Sequence, residues 1–262
     1  MAGALRHPIM AAMSGRETTS PVTRGLRLAR VFVHLLRGLL IVALLFPFYS
    51  RARRRQEIRQ WSAALMRVLG VQVHLHDAPV RARPLMLVSN HVSWLDIFAL
   101  NSAIPMRFVA KSEIRRWPFI GWLSAKTGTL FIERARRSDT ARINRLIAEA
   151  MLEGDVVAVF PEGTTTDGTQ ILRFHSSLLQ PALIADAVVQ PVALRFTHGD
   201  GALCTEAAFD GDKTLWQSLL QILALRKIDV QLHFLPLLPG DVPHRRALAD
   251  AAQAAIASRL NR

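Results

Sequence analysis

Apolar and polar residues alternate from Val71 onward, with Val71, Val73 and Leu75 set between Gln72, His74 and His76. This is the period of a strand with one face buried. Short apolar runs recur at Leu85 to Ser89, Phe108 to Ala110, Leu130 to Ile132, Val156 to Phe160, Val188 to Leu194 and Val230 to Phe234, and each predicts a further, mostly buried strand. Between them the period lengthens. Over Asp139 to Glu153 the residues Ile143, Leu146, Ile147, Ala150 and Met151 fall on one helix face, and Gly154 stands where a helix stop belongs. The Ala-rich stretch Arg246 to Leu260 reads as a closing helix. Strands alternating with helices predict an α/β fold with a mainly parallel sheet flanked by helices, whose chemistry gathers at the carboxyl ends of strands. Pro79, Pro84 and the run Arg81 to Arg83 form a loop, not a linker, so residues 71–262 read as one domain with no internal repeat.

The first 70 residues follow another pattern. Val31 to Phe48 is apolar except for His34 and Arg37, with Arg24, Arg27 and Arg30 before it and Arg51, Arg53, Arg54 and Arg55 after it. Its uninterrupted part, Gly38 to Tyr49, falls short of the roughly 20 apolar residues a spanning helix needs. The segment therefore predicts a short, re-entrant or interfacial membrane helix with arginines among anionic headgroups. A buried core helix with solvated basic flanks is the other reading, and the charge on both sides favours the membrane. No small-x-small cleavage site follows, so a signal peptide fits less well. Residues 24–70 are thus expected to be a membrane-associated helical segment, a pair of helices, with 1–23 disordered ahead of it.

Charge supports this division. The chain carries a formal charge of +13, and Met1 to Gly70 alone holds twelve Arg, no Lys, and only Glu17 and Glu57 as acids, giving +10 of it. A segment this basic points to a phosphate-rich partner, and its interleaving with Leu, Ile and Val rather than exposed aromatics selects a membrane surface over nucleic acid. The composition, half hydrophobic, excludes a disordered tail protein and a collagen-like chain. The lone cysteine, Cys204, excludes a disulfide scaffold and points to a reducing or cytosol-facing compartment.

Several chemistries fail on inspection. Gly163 to Gly168 has the spacing of a phosphate loop, but Thr169 and Gln170 stand where Lys and Ser/Thr must follow. There is no G-x-S-x-G elbow and no H-E-x-x-H pair. His74 and His76 share a strand face without a third metal ligand nearby, so no metal site is assigned.

One constellation remains. After the strand ending near Val88 comes Ser89-Asn90-His91-Val92-Ser93-Trp94-Leu95-Asp96, a histidine and a carboxylate five apart at a strand-to-helix turn. His91 must sit in the turn and Asp96 in the first turns of the helix, where the carboxylate can fold back onto the imidazole. A carboxylate on one ring nitrogen fixes the tautomer and makes the other nitrogen a candidate general base. By itself the pair reads equally as an acid favoured at a helix start. A second polar turn, Phe160-Pro161-Glu162-Gly163-Thr164-Thr165, follows the strand Val156 to Val159, and two such turns at adjacent strand ends mark a site.

With these residues in place, the chain resembles the glycerolipid acyltransferase family. N-H-x-x-x-x-D at Asn90 to Asp96 and F-P-E-G-T at Phe160 to Thr164 match its first and third blocks. Lys111-Ser112-Glu113 with Trp117 to Trp122, continued by Gly128 to Arg134, is similar to its second, and Val189 to Ala193 to its last. The four ordered blocks span roughly Leu85 to Leu194. The resemblance implies that His91, oriented by Asp96, deprotonates a lysolipid hydroxyl that attacks the thioester of acyl-CoA or acyl carrier protein. It implies acyl transfer from a thioester to 1-acyl-sn-glycerol-3-phosphate, giving phosphatidic acid, with no cofactor and no metal. Lys111 and Arg134 match positions that hold acceptor phosphate, Glu162, Gly163 and Thr164 line the substrate, and the backbone near Glu162 and Gly163 is expected to supply an oxyanion donor. The family also has an N-terminal helical pair in one membrane leaflet, which places this chain at the cytoplasmic face of a bacterial inner membrane. One departure matters: the family often continues E-G-T with arginine, whereas here Thr165 and Thr166 follow. Arg173 is a substitute, and lyso-ornithine lipid an alternative acceptor. Thr197 to Trp216 receives no role.

Overall fold

The structure, a computed structural model, describes residues 18–132, 137–240, 242 and 244–261. Of residues 1–23, expected to be disordered, 1–17 lie outside the described residues, whereas 18–23 are held by the Thr18 bridge and the start of a helix at Pro21. Arg134 lies outside the described residues as well.

Thr18 bridges to Leu225, and Thr19 N–H donates to the Ala224 carbonyl at 2.9 Å. Helix α1 (Pro21–Leu40) follows, capped by the Ser20 hydroxyl and started by a proline whose missing N–H costs nothing there. It runs on through a wider π turn (Ile41–Leu45) and a 3-10 turn (Phe46–Phe48), so that Pro21–Phe48 is one helix long and apolar enough to cross a membrane. Ser50 caps α2 (Arg51–Leu69), and Gly70 ends it at φ 78°, the left-handed conformation glycine adopts without penalty. A Cβ on Gly38 would lie 2.5 Å from the Trp61 indole nitrogen, so glycine there lets α1 and α2 approach closely.

The rest is β1 (Val71–His76), β2 (Leu85–Ser89), α3 (Leu95–Ala103), β3 (Arg107–Lys111), α4 (Ile120–Lys126), β4 (Leu130–Ile132), α5 (Arg137–Leu152), β5 (Val156–Val159), α6 (Gln180–Ile184), β6 (Val188–Thr197), α7 (Leu215–Ala224), β7 (Ile228–Phe234) and α8 (Arg245–Leu260). All seven strands expected from apolar runs form, and Gly154 ends α5 with φ 87°. They make one sheet in the order β1-β7-β6-β2-β5-β3-β4, parallel at every pairing except the antiparallel β6–β7.

Strand alternation divides the core into two layers. Leu85, Leu87, Val156, Ala158, Val192 and Leu194 face one side of the sheet, where α1, α2, α3 and α7 contribute Val31, Leu65, Leu95, Leu100 and Ile222. Met86, Val88, Val157, Val159 and Ala193 face the other, against Ile147 and Met151 of α5 and Leu248 and Ile256 of α8. Helix α2 is therefore part of the α/β core as well as partner to α1. With β5 between β2 and β3, the carboxyl ends of these three strands stand side by side.

Candidate active site

The turn after β2 is fixed before any chemistry is considered. Asn90, buried, donates from Nδ2 to the Leu194 carbonyl at 2.9 Å and accepts the Leu194 N–H at 2.8 Å, clamping the turn to β6. Asp96 lies in the first turn of α3 and is fully buried. Its Oδ2 accepts from His91 Nδ1 at 2.7 Å, from Val92 N–H at 2.8 Å and from Ser93 N–H at 3.0 Å. Five residues of separation thus close into a tight loop around one oxygen. With Asp96 as acceptor, the imidazole carries its proton on Nδ1 and presents the Nε2 lone pair outward. The ring, about one-fifth exposed, stacks on Phe160 with centroids 4.0 Å apart and 11° between planes, and Phe160 stacks in turn on Phe108. Imidazole position is therefore set by a carboxylate on one edge and an aromatic face beneath.

The β5 turn carries Glu162, whose two oxygens both face backbone. Oε1 accepts the His91 N–H at 2.7 Å and Oε2 the Leu172 N–H at 2.8 Å. Burial pushes this carboxyl above its usual range, opposed by the two N–H bonds. Glu162, expected to line substrate, staples the two turns together through these bonds. The Gly163 N–H, expected to serve an oxyanion, donates to the Phe160 carbonyl at 3.1 Å. The glycine takes φ 72°, which is why the turn needs it. Thr164 is exposed at the rim.

Further braces converge here. Thr166 N–H donates to the His91 carbonyl at 2.9 Å, Phe209 N–H to the Val92 carbonyl at 2.9 Å, and the Thr165 hydroxyl to the Phe209 carbonyl. The segment around Phe209, without a role in the sequence, locks the histidine turn from outside. Phe160 was legible within its motif but not as a stacking platform, and nothing in the sequence marks Phe209. Lys111, exposed at the carboxyl end of β3, sits two strands from β2 on the same edge of the sheet. Arg173 is exposed beyond the Glu162 turn.

Away from the site, His74 and His76 pair across to β7, with Asp229 at 2.6 Å and Gln231 at 2.8 Å. Among the described residues, ligand atoms of His198, Cys204 and Glu206 come within 4.8 Å of one another, the composition of a possible metal site, and His198 is already 3.2 Å from Glu206.

A histidine held by a buried carboxylate at the carboxyl edge of a mainly parallel sheet defines an α/β protein arranged for proton transfer. The chain belongs to the acyltransferase family: residues 70–195 match the family model described as Acyltransferase. It is 38% identical to a lyso-ornithine lipid O-acyltransferase of Pseudomonas aeruginosa over 78% of each chain, and 35% identical to a 1-acyl-sn-glycerol-3-phosphate acyltransferase of Neisseria gonorrhoeae over 70% of this chain and 72% of that one. The crystal structure of the 1-acyl-sn-glycerophosphate acyltransferase of Thermotoga maritima has the same fold, with a TM-score of 0.61 at 20% identity over 90% of this chain and 96% of the other.

Proposed function

We propose that the chain moves a fatty acyl group from acyl-CoA or acyl carrier protein to the free hydroxyl of 1-acyl-sn-glycerol-3-phosphate, forming phosphatidic acid at the cytoplasmic face of a bacterial inner membrane. The observation that carries this reading is the 2.7 Å contact of His91 Nδ1 with the buried Asp96. Nε2 of His91 takes the hydroxyl proton as the acceptor oxygen bonds to the thioester carbonyl carbon. The tetrahedral intermediate then collapses, the carbon–sulfur bond breaks, and the leaving thiolate takes the proton back from His91. No cofactor or metal is needed for this balance. Asp96 holds the tautomer and stabilises the transient imidazolium, and Lys111 and Arg134 are assigned to acceptor phosphate. Glu162 and Gly163 act by shaping the turn, and Thr164 lies at the substrate rim.

A second acceptor, lyso-ornithine lipid, is favoured by Thr165. Where the family often has a guanidinium for phosphate, this chain has a hydroxyl already bonded to the Phe209 carbonyl, and the Pseudomonas relative bears that substrate in its name. An assay in detergent offering both acceptors with labelled acyl-CoA and labelled acyl carrier protein separates the readings. Transfer to lysophosphatidic acid that is lost in His91→Ala supports the first, and transfer only to lyso-ornithine lipid replaces it with the second. Transfer that survives His91→Ala sinks the mechanism.

A further inference from the structure

We infer that the groove between α1 and α2 is a binding site for one anionic glycerophospholipid of the surrounding bilayer, distinct from the acyl acceptor. The inference rests on the membrane association proposed above. Arg37 interrupts the apolar face of α1, where a charge within hydrocarbon costs about 2.5–3.5 kcal/mol and calls for a partner. Yet its guanidinium makes no hydrogen bond or ion pair among the described residues, and it is exposed.

Two cavities meet at this residue. The first, about 610 Å³, is a cleft between the helices lined by Arg37, Arg59, Arg67, Gln60 and Ser102. The Glu57 carboxylate, also in its wall, is neutralised by Arg53 at 2.7 Å, so the guanidiniums dominate. Arg59 and Arg67 each spend Nε on a backbone carbonyl, of Ser102 at 3.2 Å and of Ala63 at 3.3 Å, which leaves their terminal nitrogens available. The second cavity, about 350 Å³, is an apolar groove along Val33, Leu36, Leu40 and Leu44. Arg37 and Ile41 belong to both. A cationic cleft opening directly onto an apolar groove has the polarity order of a phospholipid: phosphate against Arg37 and Arg67, whose forked donors suit its oxygens, and acyl chain along the leucines.

The cleft is also joined to the candidate active site. Its wall residue Trp61 stacks on His34 at 4.5 Å between centroids, Trp61 contacts Phe98 at 5.7 Å, and Phe98 meets Trp94 edge-on at 5.9 Å, inside the turn that holds His91 and Asp96. A lipid in the cleft would buttress the helices against which that turn packs.

The test uses the full chain in vesicles of phosphatidylcholine alone or mixed with phosphatidylglycerol, followed by native mass spectrometry of the protein released from them. The wild type should retain a single phosphatidylglycerol. Arg37→Gln/Arg67→Gln should lose it, with affinity down about tenfold for each guanidinium removed, while still cosedimenting with both vesicle types. Arg30→Gln/Arg51→Gln, with the same charge loss elsewhere on the two helices, should keep it. Equal lipid loss in both double variants would reduce the effect to general surface charge and overturn the site. Binding of glycerol 3-phosphate in place of the lipid at similar affinity would make it a free-phosphate site and overturn the lipid assignment. Cosedimentation without retained phosphatidylglycerol would overturn this inference alone; failure of the wild type to cosediment would overturn the membrane reading with it.

Discussion

The backbone N–H of His91 donates to Oε1 of Glu162 at 2.7 Å, so the glutamate of one turn holds the main chain of the other. Oε2 is equally committed, to Leu172 N–H at 2.8 Å. In Glu162→Gln the amide offers one acceptor and turns its NH2 toward a second N–H, leaving a buried donor unpaired at a cost of about 1–3 kcal/mol. Burial also raises the Glu162 carboxyl above its usual value. The folded state therefore holds that proton more tightly, and stability is greatest below the unfolded glutamate value and falls as pH rises through the raised folded one. The urea midpoint of Glu162→Gln minus that of the wild type should therefore rise with pH across this range; parallel curves would remove Glu162 from the account.

The proposed chemistry makes a different demand on Asp96. Asp96→Asn keeps an oxygen for the Val92 and Ser93 N–H groups and for His91 Nδ1, but removes the negative charge that stabilises the transient imidazolium. Turnover should fall by about 10²–10⁴ with KM little changed, and His91→Ala should fall at least as far. Near-ultraviolet circular dichroism must remain native for the comparison to count. A KM effect with intact kcat would assign the pair to binding.

Acceptor choice can be read at Thr165. Thr165→Arg places a guanidinium where the family often has one and forfeits the bond to the Phe209 carbonyl. If that position governs phosphate recognition, the ratio of kcat/KM for lysophosphatidic acid over lyso-ornithine lipid should rise about tenfold, the effect of one charge-assisted bond. An unchanged ratio would move phosphate recognition to other basic residues.

The seven strands and the His91–Asp96 pair were legible because each depends on local order: strand period, a turn of fixed length, and a helix start. The engaged oxygens of Glu162 and the committed N–H of Gly163 were not, since their partners Leu172 and Phe160 are selected by how the turn folds back. Phe209 was invisible for a stronger reason. It reaches the Val92 carbonyl through its own N–H, and a backbone donor leaves no trace in residue type. The groove at Arg37 lay between these cases, with the arginine visible in an apolar run but Arg67 brought beside it only by α1–α2 packing.

Acid sensitivity should arise far from the site, at His233. Its Nε2 lies 3.1 Å from an Arg259 guanidinium nitrogen and so accepts from it, its ring stacks on His76 at 4.1 Å, and Asp77 is the acid nearby. Burial, then Arg259 and His76, lowers it from 6.5 to about 4. The unfolded chain binds the proton first, so stability is intact above 6.5 and is lost as pH falls toward 4. His233→Gln offers an acceptor that does not titrate, and its melting temperature should fall less than that of the wild type between these limits. Identical acid limbs would place the sensitivity elsewhere.

Gly121 tests whether the second family block is structural as well as functional. A Cβ there would lie 2.2 Å from the Arg115 carbonyl oxygen and 2.5 Å from its carbon, both main-chain atoms that cannot swing aside. The contact arises because Phe119 turns the chain at φ 59°, bringing α4 back against the 3-10 turn Ser112–Arg116. Gly121→Ala must separate the two, at about 1–3 kcal/mol. Lys111 immediately precedes that turn, so its displacement should raise KM for a phosphate acceptor more than it lowers kcat. Thermal unfolding gives the first effect and steady-state kinetics the second. A destabilised variant with unaltered KM would leave the block a packing element and take Lys111 out of acceptor binding.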